Sequence, residues 1–211
     1  MALEFEQISL QQKFDEVIAS ENKLQIQDFL NHQNISDVAD LIYNNEDFEN
    51  QIISHLSIHR AVSVFKILEL PAQKRIIHDL PPFKTAELLN ELPPDDRTSF
   101  LSELPGNAVR ELVKTLNPDE RKITLSLLGY PENSVGRLMT PDYVYVYEHD
   151  SIEDVFNTIR RYAKSSETID VLYVLNDKGE LLDDIRIKDF IMAETKKKVS
   201  VSHTKHSQEK V

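Results

Sequence analysis

The sequence predicts a mainly α protein. A helical-repeat domain, right- or left-curved, is expected over residues 1–130, a small α/β module over 131–195, and a disordered tail over 196–211. Three observations carry this. Leucine–proline steps recur through the first half at near-constant spacing. The intervals between them place apolar residues at helical periodicity. After Tyr130 the pattern changes to short β-rich runs broken by one strong turn.

The repeat runs through Leu70-Pro71, Leu80-Pro81, Leu92-Pro93, Leu104-Pro105 and Leu116-Asn117-Pro118, spaced by ten, then twelve, twelve and twelve residues. Proline blocks continuation of the preceding helix but fits the first turn of the next. At 117–120, Asn117 suits an N-cap and Pro118 the first helical position. Glu120 can reach back to the cap, and Asp119 and Glu120 favour the positive end of the helix dipole. Each unit is a helix of roughly 8–10 residues, too short to stand alone. Stacking in pairs would bury the leucine stripe. Further helices are expected over 5–19, 24–29, 35–43 and 48–56.

Beyond a break at 129–133, strands are expected over 143–147, 169–175 and 180–185. Helices are expected from Ser151 to Tyr162 and over 187–193. Asn176-Asp177-Lys178-Gly179 is a hairpin turn signal. The order is β–α–β–β–α.

Composition excludes several function classes. Hydrophobic residues make up 40% and charged residues 28%, as in a globular protein. The net charge of −12 argues against nucleic acid or an anionic lipid surface as the main partner and is compatible with cation binding. The absence of cysteine excludes disulfides and thiolate metal sites. The opening residues lack a signal peptide's basic and apolar regions, and no stretch reaches the roughly 18 consecutive apolar residues of a membrane span. The chain therefore reads as soluble. It carries no P-loop, no Gly-x-Gly-x-x-Gly and no Gly-x-Ser-x-Gly, so catalysis has no support. His55 and His59 stand at the i, i+4 spacing of a zinc clamp, but no accompanying glutamate completes such a motif; a plain histidine pair is expected. His203 and His206 fall in the expected tail.

The run Ser134-Val135-Gly136-Arg137-Leu138-Met139-Thr140-Pro141-Asp142 resembles the junction of the MgtE family, where a helical N domain runs into the first CBS domain. The Leu-Pro-Pro and Asn-Pro-Asp-Glu-Arg punctuation resembles that N domain. Glu167-Thr168-Ile169, Leu172-Tyr173-Val174, Asp177 to Leu181 and Lys188-Asp189-Phe190-Ile191 resemble that CBS domain. The likeness covers about residues 20–195. It implies the magnesium-sensing region of a transporter at the cytoplasmic face of the cell membrane. This region would not be an enzyme. It would be a homodimer through the CBS domain, with the transmembrane pore domain as partner. The family carries a second CBS domain and a membrane part, so a truncated member is expected.

In that family magnesium bound between the N and CBS domains holds a closed state, and the carboxylates repel when magnesium falls. Mg²⁺ takes oxygen ligands, retains waters and needs only one or two carboxylates. By position, the resemblance assigns metal contacts to Asp95 and Asp96, with Asp142 a further candidate. A bland reading places Asp95 and Asp96 simply at a helix start. CBS domains also take ATP or AMP, through a basic residue and an aspartate that match Lys188 and Asp189. The neighbouring Asp183 and Asp184 would repel phosphate, so nucleotide is the lesser expectation. Alternatives are a helical-repeat/CBS interaction scaffold, whose repeat also resembles the flagellar rotor family, and an adenine-nucleotide sensor without a transport role. The basic run Lys196-Lys197-Lys198 is read as a solvated end rather than a lipid contact.

Overall fold

The computed structural model describes residues 9–162, 169–194 and 197–199. Lys196, the Glu167-Thr168 pair and the expected tail from residue 200 on, with His203 and His206, lie outside the described residues. Packing divides the chain into Met1–Leu138 and Met139–Val211, a boundary later than the break expected at residue 130.

The first unit is a run of short helices: α1 (Leu10–Ala19), α2 (Lys23–His32), α3 (Ile35–Asn44), α4 (Glu49–His55), α5 (Ile58–Ile67), α6 (Leu70–Asp79), α7 (Pro82–Glu91), α8 (Pro94–Ser102), α9 (Gly106–Thr115), α10 (Pro118–Leu128) and α11 (Val135–Leu138). Helix α1 opens at Leu10 because Ser9 caps it, exchanging hydrogen bonds with Gln12 in a capping box. Alternate helices stack: α3 on α5, α5 on α7, α2 on α4 and α8 on α10. Their apolar stripes merge into one core that includes Phe14, Ile42, Phe65, Leu89 and Leu101.

The repeat frame differs from the sequence reading in one respect. The junction residues are Leu56, Leu68, Leu80, Leu92 and Leu116, all buried and all extended at ψ 137 to 151°. With Leu104 in the remaining slot they keep a uniform spacing of twelve. Leu70-Pro71 is not a junction: it opens α6, with Pro71 in the first turn. The apparent step of ten came from following proline, which marks helix starts, rather than the buried leucine that turns the chain. Nor do His55 and His59 share a helix. His55 ends α4, and the extended Leu56 separates it from α5.

Two kinds of tether lock this frame. The fourth residue of alternate helices reaches back to carbonyls at the end of an earlier helix, where orphan acceptors collect. Gln73 Nε2 donates to Phe65 O at 2.8 Å. Arg97 Nη1 donates to Leu89 O and Leu92 O, both at 3.1 Å. Arg121 Nε donates to Val113 O at 3.0 Å, and its Nη2 to Leu116 O at 3.0 Å. The second tether fixes the junction N–H. Asn31 Oδ1 accepts from Ser57 N at 2.8 Å, Tyr43 Oη from Glu69 N at 2.7 Å, and Asn90 Oδ1 from Asn117 N at 2.7 Å. Asn117 therefore stands at the N-cap position, but its side chain makes no capping bond. Glu120 does not reach back to the cap as expected; it pairs with Arg97.

The second unit holds β1 (Tyr145–Tyr147), α12 (Ile152–Tyr162), β2 (Val171–Leu175), β3 (Leu181–Arg186) and α13 (Ile187–Met192). Strand β1 pairs parallel with β2, which pairs antiparallel with β3. Helix α12 is the crossover between the parallel strands. Val146, Leu172 and Val174 face a core shared with Ile152, Val155, Ile159 and Phe190. The alternating positions Tyr145, Tyr147 and Tyr173 line the other face with Tyr143 and His149, in tilted, edge and stacked ring contacts. Asn176 builds the hairpin turn, its Oδ1 accepting from Lys178 N and Glu180 N at 2.9 Å each. Gly179 takes the left-handed φ of +77° that the turn requires.

Residues 197–199, assigned to the disordered tail on sequence grounds, pack into this unit. Ile152 N donates to Lys197 O and Val199 N to Asp150 O, both at 3.0 Å, and Lys198 bridges to Ser151. Val199 is fully buried in the core. Lys196 to Lys198 before it and Ser200 after it hide Val199 from a periodicity reading.

Ser151 and Asp154 open α12 as a reciprocal cap: Ser151 Oγ donates to Asp154 Oδ2 at 2.6 Å, Ser151 N to the same oxygen at 3.1 Å, and Asp154 N to Ser151 Oγ at 3.2 Å. The Ser151 hydroxyl and then its backbone N–H hold the Asp154 carboxyl below the ordinary carboxylate range. A lowered folded pKa stabilises the protein above the unfolded value and loses that contribution as pH falls through the folded value. Asp154→Asn is therefore expected to flatten the acid limb of the stability profile below about pH 4, as read by denaturant midpoints across pH.

Candidate functional site

Asp95 and Asp96 stand in the first turn of α8, immediately after Pro94. Pro93 and Pro94 stop α7 and start α8, which sets both carboxylates at the helix's positive end. The two side chains differ. Asp96 Oδ2 lies 2.7 Å from Lys66 Nζ of α5, an ion pair about one-third exposed. Asp95 Oδ1 and Asp96 Oδ2 are both buried without a hydrogen-bond partner among the described residues, so the Lys66 ammonium is what sets Asp96 apart. A buried carboxylate oxygen without a donor is costly, so it suits a cation or bound water.

Beside Asp96 opens a groove of about 320 Å³. Phe65 and Phe100, in edge contact with ring centroids 5.4 Å apart, lie on its wall, and Lys66, Gln73, Ser99 and Glu103 supply polar groups.

Arg97, the next residue, is fully buried. Its Nε donates to Thr124 Oγ1 at 2.8 Å and its Nη2 pairs with Glu120, so α8 is bolted to α7 and α10. The carboxylates of Asp95 and Asp96 thus ride on a rigid turn. The Pro-Asp-Asp-Arg run of α8 and the Pro-Asp-Glu-Arg run of α10 repeat the same start. In the first the arginine is wholly enclosed; in the second Arg121 is half-buried. Neither Lys66 nor Arg97 was singled out in the sequence. Recurrence of that four-residue run was the signal for Arg97, while nothing local marks Lys66.

The remaining candidates lie in the second unit. Asp142 sits in the segment leading to β1, its N–H donating to Thr140 Oγ1 at 3.2 Å. Lys188 is exposed and Asp189 half-buried in the first turn of α13. Strand β3 brings Asp183 opposite Val174 and Asp184 opposite Tyr173, so acid does precede α13. Among the described residues no three His, Asp or Glu side chains form a metal-holding group. Asp95 and Asp96 supply oxygen donors of the kind Mg²⁺ takes, with Asp95 the less engaged of the two. No described helix is long and apolar enough to cross a membrane.

Residues 33–133 match the MgtE intracellular N domain, and residues 135–196 match the CBS domain. The magnesium transporter MgtE of Bacillus subtilis is 26% identical over 154 residues, which is 73% of this chain and 34% of that protein. The magnesium transporter MgtE of Thermus thermophilus is 36% identical over 91 residues, 43% of this chain and 20% of that protein. The chain thus spans about a third or less of these relatives. The crystal structure of the cytosolic domain of the Mg²⁺ channel MgtE in complex with ATP superposes with a TM-score of 0.83 at 27% identity, over 90% of this chain and 78% of that one. The soluble part of a magnesium transporter shares the fold, with a TM-score of 0.78 at 18% identity over 92% and 78% of the two chains. Over residues 33–196 the chain thus matches an MgtE-type intracellular N domain followed by a CBS domain.

Proposed function

We propose that the chain is the magnesium-sensing regulatory region of an MgtE-type transporter. It would sit at the cytoplasmic face of the membrane, pair as a homodimer through its CBS domain, and gate ion flux rather than catalyse a reaction. Mg²⁺ bridging carboxylates of the N and CBS domains would favour the closed state, and its loss would let those carboxylates repel. The observation that carries this reading is Asp95, whose buried Oδ1 has no donor. Asp96 is partly neutralised by Lys66 and contributes less. Asp142 is a second-unit candidate.

The test is a magnesium titration of the chain, followed by protease sensitivity over residues 128–142. Millimolar Mg²⁺, but not matched Na⁺, is expected to slow cleavage. Asp95→Asn is expected to raise the half-maximal concentration by about tenfold or more, the scale of losing a metal-site contact. Asp96→Asn should shift it less. A wild-type chain indifferent to Mg²⁺ would favour the interaction scaffold instead, and an unchanged Asp95→Asn response would remove that residue from the site.

A second reading draws on the solved relative in complex with ATP. Lys188 and Asp189 would then contact phosphate and ribose, against the adverse charge of Asp183 and Asp184. Thermal stabilisation by ATP or AMP in chelator, lost in Lys188→Ala, would support it.

A further inference from the structure

We infer that residues 134–138 are a latch belonging to the first unit, closed by a glycine seated on a tyrosine ring, and that the joint between the two units is therefore confined to residues 139–143. The CBS family match begins at residue 135, yet packing assigns α11 to the first unit, where it meets α8 and α10.

A helix of four residues has no stability of its own, so something must hold it. The hold is built from both ends of the preceding turn. Pro131 O accepts from Ser134 N at 3.2 Å and from Ser134 Oγ at 2.7 Å. Asn133 turns the chain at φ +62°, a conformation asparagine tolerates. Arg137 N donates to Ser134 O at 3.0 Å, and Arg137 Nη1 reaches Leu127 O, at the end of α10, at 3.2 Å. Between these lies Gly136. A Cβ there would fall 2.7, 2.8 and 2.9 Å from Cδ1, Cγ and Cε1 of Tyr130. Those atoms are the near half of the ring, so no small rotation of its tip makes room. The glycine is required by close approach rather than by its own dihedral angles. Beyond Leu138, residues 139–143 form neither helix nor strand, and Val144 O is already bonded to Tyr173 N of the sheet.

The latch rests on the first unit alone and not on the magnesium reading, so every arm of its test is run in chelator. Trypsin cleavage after Arg137 reports opening. Glycine to alanine normally stabilises a helix, so without the ring contact Gly136→Ala would slow cleavage. With it, the clash is expected to speed cleavage by about tenfold. In a Tyr130→Ala background the same substitution should slow cleavage, reversing sign. An equal effect in both backgrounds, or slowing in both, overturns the proposal. The unmodified chain supplies an independent check: a broad-specificity protease should nick first within 139–143, and a first nick within 130–134 would equally overturn it.

Discussion

Arg97→Ala is expected to lower the stability of the first unit by about 3 kcal/mol, the scale of breaking a buried ion pair from one side. The substitution leaves the Glu120 carboxylate, the Thr124 hydroxyl and the carbonyls of Leu89 and Leu92 without their donor. Acceptors left unsatisfied cost more than the bonds themselves contributed. For a unit of this size the melting temperature should fall by about 10 °C. Arg97→Lys should recover only part of the loss, because an ammonium on a flexible stem cannot serve three directions at once. Arg121→Ala, at the half-buried equivalent, should cost about 1 kcal/mol. Thermal unfolding by circular dichroism checks the order. An Arg97→Ala chain melting within about two or three degrees of the parent would show that the enclosed guanidinium is dispensable.

Val199→Asp is expected to unfold the second unit while the first stays folded. Val199 is fully buried, and the core residues around it are apolar and offer a carboxylate no partner. Burial of an unpaired charge exceeds about 4 kcal/mol, more than a small three-stranded unit can absorb. Val199→Ala should cost about 2 kcal/mol and leave the unit folded. Hydrogen exchange separates the outcomes: amides of β1 to β3 should lose protection in Val199→Asp, and those of α5 to α10 should keep it. Uniform retention would mean that residues 197–199 are peripheral to the unit.

The helices, the β–α–β–β–α order and the hairpin were legible because each is written locally, in apolar spacing, in proline, and in the Asn176 turn. The exact repeat frame was less legible. Pro71 drew attention to Leu70, whereas Leu68 turns the chain, and burial of a leucine leaves no mark beside it in the sequence. The candidate site was half legible. The family resemblance, by position, pointed to Asp95 and Asp96, but their unlike surroundings depend on Lys66, thirty residues away. Likewise Gly136 reads as a family signature in the sequence, and only the ring of Tyr130 gives it a physical reason.

The carbonyl staples of the first unit reach back eight residues, from 73 to 65, 97 to 89 and 121 to 113, and its junction tethers close over 26 or 27. In the second unit Ile152 must wait for Lys197 and Asp150 for Val199. Short closures form early and long ones late. As the chain leaves the ribosome, the helical array can therefore condense pair by pair behind the exit tunnel. The sheet unit is completed only after residue 199 has emerged, so an interval exists during synthesis when a finished helical array precedes an open, unsealed sheet.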